Sequence, residues 1–152
     1  MPHYVALADV LTGLYAVIAI QAALRHRDAT GIGQHIDLSL LDTQVAWLAN
    51  QAMNYLVTGQ PPTRQGTAHP NIVPYEAFDA SDRPVVIAVG SERQWPRLCK
   101  TIGLPALADD PRFRFNADRV EHRDALREIV AERIATNSSQ FWLERLEAAE
   151  VP

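Results

Sequence analysis

The chain has 152 residues, 47% of them hydrophobic and 21% charged, which is the composition of a globular protein long enough to bury a sizeable core. Its formal net charge of -4 provides no basic stripe, which argues against nucleic acid as a partner. The single cysteine, Cys99, excludes an internal disulfide and fits a reducing compartment, so we predict a cytoplasmic location.

The first predicted element is a helix from about Val10 to Arg27, with Asp9 at its start. Asp9 is the only charged residue between Tyr4 and Leu24. Its oxygens can accept hydrogen bonds from the free N–H groups of the first turn, and the residues alone favour this capping role. A carboxylate held there as an anion can also serve as a covalent nucleophile.

The apolar run that contains this helix, Tyr4 to Leu24, is about long enough to cross a bilayer. It carries Asp9, and an acid inside a membrane costs on the order of 3 kcal/mol. No basic segment precedes the run, which argues against a signal peptide. We therefore predict a core helix buried on most sides, ended by Gly31 or Gly33, and no membrane association.

The next segments predict a strand and a second helix. Residues His35–Leu40 alternate between polar and apolar side chains, as in a short strand. We expect Ser39 to cap a helix from about Leu40 to Val57 in a capping box with Asp42, and Gly59 to end that helix.

A proline-rich segment, residues 61–74, then interrupts regular structure. Loops of this length are more often lids, binding loops or linkers than plain connections. This segment carries His69 and Arg64. An exposed loop histidine is more often inert than catalytic, and Arg64 can bind an anion if the loop closes over one. We place the domain boundary here, between a domain of residues 1–60 and one of residues 75–152.

The second part of the chain predicts a small α+β domain. Tyr75–Asp79 and Pro84–Val89 indicate an antiparallel hairpin, and the apolar second strand is expected to be central. Cys99 is expected in the core. Three helices follow, each after a capping residue: Glu92–Ile102 after Ser91, Ala117–Ala135 after Asn116, and one that starts at Ser138 or Ser139.

Common catalytic motifs do not account for the chain. The glycines at 31 and 33 follow a helix rather than a strand, so the dinucleotide fingerprint fails. The five histidines are scattered and no Cys/His cluster has zinc spacing, so we predict no metal site. No serine lies in a nucleophile elbow.

Several segments together resemble the family III CoA-transferases. They are Asp9–Leu14, Ala22–Leu24, Thr30–Asp42, Val45–Gly59, His69–Tyr75 and Asp109–Phe113. Each segment alone is weakly specific, but their order and spacing extend the resemblance over essentially the whole chain.

The resemblance implies transfer of coenzyme A from an acyl-CoA to a carboxylic acid, with the CoA thioester as substrate and no permanently bound cofactor. Asp9 matches the family's nucleophilic aspartate, which forms a mixed anhydride and then an aspartyl-CoA thioester. The family's active-site loop corresponds to residues 66–74, so Gly66 and His69 are expected to bind substrate. Leu40 matches a position near bound CoA.

The resemblance also implies an α/β fold, interlocked homodimers and considerably longer chains. We therefore expect a fragment, impaired alone, in which a helix–strand–helix piece of the large domain precedes a small α+β domain. Arg83 stands where the family usually has glycine. Two alternatives remain open: a non-enzymatic, self-associating module, and a fragment related to the α-methylacyl-CoA racemases, in which the aspartate transfers a proton.

Overall fold

The computed structural model describes residues 5–152 and divides the chain into two compact units, residues 1–63 and 64–152. The described part of the first unit contains three helices: α1 (Leu7–Thr30), α2 (Leu40–Ala46) and α3 (Asn50–Thr58). Within this unit α1 packs against α2.

Helix α1 begins earlier than the sequence predicts. Its N-cap is Ala6, whose side chain makes no capping bond, and Asp9 lies inside the first turn. The predicted cap is therefore wrong, because Leu7 and Ala8 are good helix formers and extend the helix backward. Asp9 keeps only its favourable place near the positive end of the helix dipole. Gly31 ends the helix with φ 75°, as expected.

The predicted burial of α1 is also wrong within this chain, since none of its 24 residues is buried. Large apolar side chains are exposed along it: Val10, Leu14, Val17, Ile18 and Ile20. Among the described residues of the first unit, the short α2 and α3 are the only other helices that could cover α1. Helix α1 is long and apolar enough to cross a membrane, but the core helices of soluble proteins are often equally long and apolar.

The predicted strand at His35–Leu40 is not formed, since residues 32–39 are neither helix nor strand. A strand needs a neighbour for its backbone hydrogen bonds, and the described residues place no other strand beside this segment.

The predicted helix over 40–57 is interrupted between α2 and α3. Ala49 has φ 46° and ψ -120°, which lies outside the helical region and breaks the hydrogen-bond ladder. Ser39 and Gly59 flank this region as predicted, but the capping box is wrong, because among the described residues the Asp42 side chain does not return a bond to the Ser39 N–H. Ser39 Oγ accepts from the Asp42 N–H at 3.2 Å, and Gly59 follows α3 with φ 69°.

The second unit combines a hairpin with helices. Strands β1 (Tyr75–Asp79) and β2 (Pro84–Ala88) pair antiparallel as predicted. The expectation that the second strand is central is wrong, because among the described residues it pairs only with β1 and its Val86 is exposed. Four α-helices follow: α4 (Gln94–Thr101), α5 (Asn116–Glu121), α6 (Arg123–Ile134) and α7 (Ser139–Ala148).

The core of the second unit forms between one face of the hairpin and the helices. Trp142 is buried, and its Nε1–H donates to the Ile134 carbonyl at 2.7 Å. Cys99 lies in this core as predicted. The other large members include Phe78, Val85, Ile87, Trp95, Leu98, Phe113, Leu126 and Val130.

Two predicted caps of the second unit are wrong and one is correct. Asn116 is the first residue of α5, and the predicted long helix is broken at His122. Helix α4 begins only at Gln94, whose Oε1 accepts from the Ser91 N–H at 3.0 Å, so no Ser91 cap forms. Ser138 caps α7 by accepting from the third residue of that helix.

Candidate functional site

The four site residues predicted from the sequence lie in different units. Asp9 and Leu40 belong to the first unit, and Gly66 and His69 belong to the second. Asp9 is exposed, and no residue from 5 to 152 engages its carboxylate in a hydrogen bond or ion pair. Leu40 is the first residue of α2 and half exposed.

Within residues 5–152, the Asp9 carboxylate has no hydrogen-bond or ion-pair partner. A carboxylate oxygen must offer a lone pair to a carbonyl carbon if it is to act as a covalent nucleophile. A cation or a capping N–H bound to the carboxylate would withdraw electron density from it and weaken it as a nucleophile, although other lone pairs would stay free. The absence of such partners among the described residues, together with the first-turn position in α1, is compatible with this role.

The predicted loop is an ordered segment of the second unit. The Ala68 N–H donates to the Gln65 carbonyl at 3.0 Å and closes a turn. Gly66 in this turn has φ 64°, a conformation that favours glycine. Thr67 Oγ1 accepts from the Ala77 N–H of β1 at 3.1 Å, which ties the turn to the hairpin.

His69 is half-buried and held by the structure, rather than being a free surface histidine. Its backbone N–H donates to the Tyr75 carbonyl at 2.8 Å, and its ring stacks on the Tyr75 ring with centroids 5.4 Å apart. Its Nδ1 accepts from the Asn71 N–H at 3.1 Å. This bond places the proton of the neutral imidazole on Nε2.

Gly66 and His69 line one cavity of about 270 Å³, and all of its lining residues belong to the second unit. Its apolar wall includes Ile72 and Val73. The charged residues of the lining are Arg64, Glu76, Arg123, Asp124 and Arg127. The structure thus brings together the two loop residues predicted from the sequence and adds a set of charges beneath them.

Glu76 is the most buried charge of this cavity, with 6% of its surface exposed. Arg127 Nε lies 2.9 Å from Glu76 Oε2, yet no described residue donates a hydrogen bond to that oxygen. The contact is therefore an ion pair without hydrogen-bond alignment. Burial raises the pKa of Glu76, and the nearby charges of Arg127 and Arg123 oppose the increase only in part.

Helix α5 holds the end of the loop nearest the hairpin. Arg119 is buried, and its Nε donates to the Val73 carbonyl at 2.7 Å. Asn116 accepts from the Val73 N–H at 3.1 Å and donates to the Asn71 carbonyl at 2.8 Å. The side chain of Asn116 is thus engaged with the loop, which explains why it does not cap a helix.

Sequence reasoning missed Glu76, Arg119, Arg123 and Arg127. The signal for Glu76 was present, because alternation along β1 places it on the same face as the buried Phe78. No comparable signal existed for the arginines. Their spacing of four residues would place them on one side of the predicted long helix, but that helix is broken at His122, and spacing does not identify the atoms that they contact.

No group of three or more His, Cys, Asp or Glu side chains in the described part of the chain could hold a metal ion.

Comparison with known proteins identifies a family. The sequence profile of CoA-transferase family III matches residues 1–152. A succinate–glutarate CoA-transferase of Agrobacterium fabrum is 48% identical over 148 residues, which is 97% of this chain and 37% of that protein. An acetyl-CoA:oxalate CoA-transferase of Acetobacter aceti is 38% identical over 146 residues, which is 96% of this chain and 38% of that protein.

Solved structures agree with this result. A CAIB/BAIF family protein from Brucella suis is 46% identical with a TM-score of 0.68, and the match covers 100% of this chain and 40% of that one. Rv3272 from M. tuberculosis is 26% identical with a TM-score of 0.80, and the match covers 99% of this chain and 38% of that one. The chain thus spans less than half the length of these relatives.

Proposed function

This chain belongs to CoA-transferase family III, and from that premise we propose that it carries the nucleophile for CoA transfer between an acyl-CoA and a carboxylic acid. The proposed nucleophile is Asp9. The observation that supports it is the exposed carboxylate in the first turn of α1, which no described residue engages. Residues Gly66 and His69 are proposed to shape the acceptor site, and Leu40 to lie near bound CoA.

The proposed reaction begins with attack of an Asp9 oxygen on the thioester carbonyl carbon. The carbon–sulfur bond breaks, the thiolate of CoA leaves, and a mixed anhydride forms. The thiolate then attacks the aspartyl carbonyl, which releases the donor as a carboxylate and leaves an aspartyl-CoA thioester. Splitting one transfer into such steps is the general advantage of covalent catalysis.

The acceptor acid completes the proposed cycle in the reverse order. Its carboxylate attacks the aspartyl thioester and displaces the CoA thiolate, which forms a second anhydride. The thiolate attacks the acceptor's carbonyl, giving the new acyl-CoA and restoring Asp9. No net proton is consumed and no oxidation occurs, so the sequence needs no redox cofactor.

We propose a short dicarboxylic acid as the acceptor. The relatives named above are transferases of succinate, glutarate and oxalate by their descriptions. In this chain, Arg64 lines the same cavity as Gly66 and His69, and a guanidinium group is well suited to binding a second carboxylate.

Trapping with hydroxylamine tests the assignment of Asp9. The purified chain is incubated with succinyl-CoA, treated with hydroxylamine and digested for mass spectrometry. The expected product is a hydroxamate at Asp9 that is absent from an Asp9→Asn variant. Unmodified protein, under conditions in which the full-length A. fabrum transferase is labelled, would contradict activity in this chain. Deuterium incorporation at the acyl α-carbon without an acceptor would instead indicate racemase chemistry.

The exposure of α1 favours a second candidate, a non-enzymatic module that self-associates. Side chains such as Leu14 and Ile18 are more than half exposed, and apolar surface of this kind marks sites that another polypeptide or a lipid phase covers. Light scattering in detergent-free buffer tests the candidate, with dimers or higher oligomers expected. A stable monomer would contradict it, and dependence on detergent would indicate a membrane instead.

A further inference from the structure

We propose that Arg123 is a positioning residue for the acceptor loop, holding the turn that contains Gly66 and His69 from both sides. The inference rests on the proposed function only in that this loop shapes the acceptor site. Its physical content, that one guanidinium group determines the geometry of the loop, can be tested without any substrate.

The contacts of Arg123 bracket the loop. Arg123 is the first residue of α6 and half-buried. Its Nη1 donates to Gln65 Oε1 at 2.9 Å, and its Nη2 donates to the Pro70 carbonyl. These two partners lie immediately before and immediately after the segment 66–69. Because the guanidinium group is planar and its donors form a rigid fork, the two bonds fix one end of the turn relative to the other.

Arg123 donates its side-chain hydrogen bonds to the loop and to the Val120 carbonyl rather than to a carboxylate, although its charge also favours the ionised form of Glu76. No acidic residue in positions 5–152 lies within ion-pair distance of it. The neighbouring arginine of the same helix, Arg127, instead pairs with Glu76 of β1. Hydrogen bonds from an ionised donor are stronger than neutral ones, so Arg123 supplies two strong contacts to a segment that has no regular structure.

The two arginines are therefore not equivalent, although both line the same cavity. Arg127 acts on the hairpin, whereas Arg123 acts on the loop. Loss of Arg123 leaves the hairpin and the core contacts in place and releases the turn. The amides of His69 and Asn71, which bond to Tyr75 and to the His69 ring, then report on how often the loop opens.

The expected kinetic consequence is selective. A released loop presents Gly66 and His69 in many geometries, so binding of the acceptor acid weakens while the nucleophile itself is unchanged. Asp9 and Leu40 lie in the other unit. We therefore expect a higher KM for the acceptor acid in an Arg123 variant, with little change in the KM for acyl-CoA.

Hydrogen exchange on the full chain tests the proposal. In Arg123→Ala, the amides of His69 and Asn71 should exchange about tenfold faster or more, as expected for loss of bonds to a charged donor. Arg123→Lys should be intermediate, because an ammonium group lacks the fork geometry. The matched control is Arg97→Ala, which removes an exposed arginine paired with Glu150 and should leave loop exchange unchanged.

A second variant keeps the test decisive if Arg123→Ala fails to fold. Gln65→Ala removes one of the two loop partners of Arg123 and leaves the helix intact, so it should raise loop exchange without a change in the core amides of α6. Unchanged exchange at His69 and Asn71 in Gln65→Ala and in Arg123→Lys would overturn the proposal. Faster loop exchange in a chain without CoA transfer would support it and count only against the proposed function.

Discussion

Arg119 of α5 donates from Nε to the carbonyl oxygen of Val73 at 2.7 Å, across a separation of 46 residues in the chain. Its Nη1 donates to the carbonyls of Phe113 and Arg114, at 3.1 and 3.2 Å. The guanidinium group also pairs with Glu92 and lies 4.9 Å from the centroid of the Trp95 ring. One buried cation thus joins the end of the loop to the helices of the second unit.

Replacing Arg119 with methionine should destabilise the chain by about 3 kcal/mol. Methionine keeps much of the buried volume, but it leaves the carbonyls of Val73 and Phe113 without their donor, at about 1–3 kcal/mol for each buried group. The measurement is the free energy of unfolding in urea. Arg114→Ala, at an exposed position, is the control and should change that free energy by less than about 0.5 kcal/mol. Equal effects of the two changes would contradict the structural role of Arg119.

Replacing Asp9 with asparagine should separate function from stability. The structure shows no side-chain cap at the start of α1, so only the interaction with the helix dipole is lost, about 0.5 kcal/mol or less for an exposed site. We expect a nearly unchanged thermal midpoint together with complete loss of the hydroxylamine adduct. A large drop in the midpoint would show that Asp9 has a structural role that these contacts do not explain.

Glu76 should make stability depend on pH. Burial raises the pKa of Glu76 above its ordinary value of 4.5, so the folded state holds the proton more tightly than the unfolded state. The resulting stabilisation is fully present below the pKa that Glu76 has in the unfolded chain. It is lost as the pH rises through the higher pKa that Glu76 has in the folded chain. Relative to Glu76→Gln, the wild-type chain should therefore lose unfolding free energy as the pH rises above the ordinary value of 4.5.

Urea titrations of both proteins across this pH range measure the difference. Glu128→Gln, at an exposed position on α6, provides the control. The prediction would be contradicted if the difference in unfolding free energy between wild type and Glu76→Gln stayed constant, or if it grew in favour of wild type as the pH rises. Either result would show that the ion pair with Arg127 offsets the cost of burying Glu76.

Cys99 should be inert in the folded chain. It is fully buried, and burial raises the pKa of its thiol to about 12, so the reactive thiolate is scarce and shielded at neutral pH. A chromogenic disulfide reagent should react with one thiol per chain in urea and with essentially none under native conditions. Rapid native labelling would mean that the core around α4 opens readily.

Short-range features of the fold could be predicted from the sequence. Ser39, Ser138 and the glycines at 31 and 59 end or begin helices as expected, because capping depends on residues within one turn. The hairpin followed from two β-prone runs on either side of a short turn. The same reasoning failed for the strand predicted at His35–Leu40, because the described residues place no neighbouring strand beside it. Strand pairing depends on tertiary structure and cannot be read from a local pattern.

The sequence by itself determined the family and the candidate residues, since ordered motifs from Asp9 to Phe113 sufficed for the resemblance. Only the tertiary structure decided how the loop is held. Arg119, Arg123 and Asn116 contact loop atoms 43 to 58 positions away, and no local pattern encodes such a distance. The path of the chain brings these donors to the loop, so their roles emerge only when the second unit is folded.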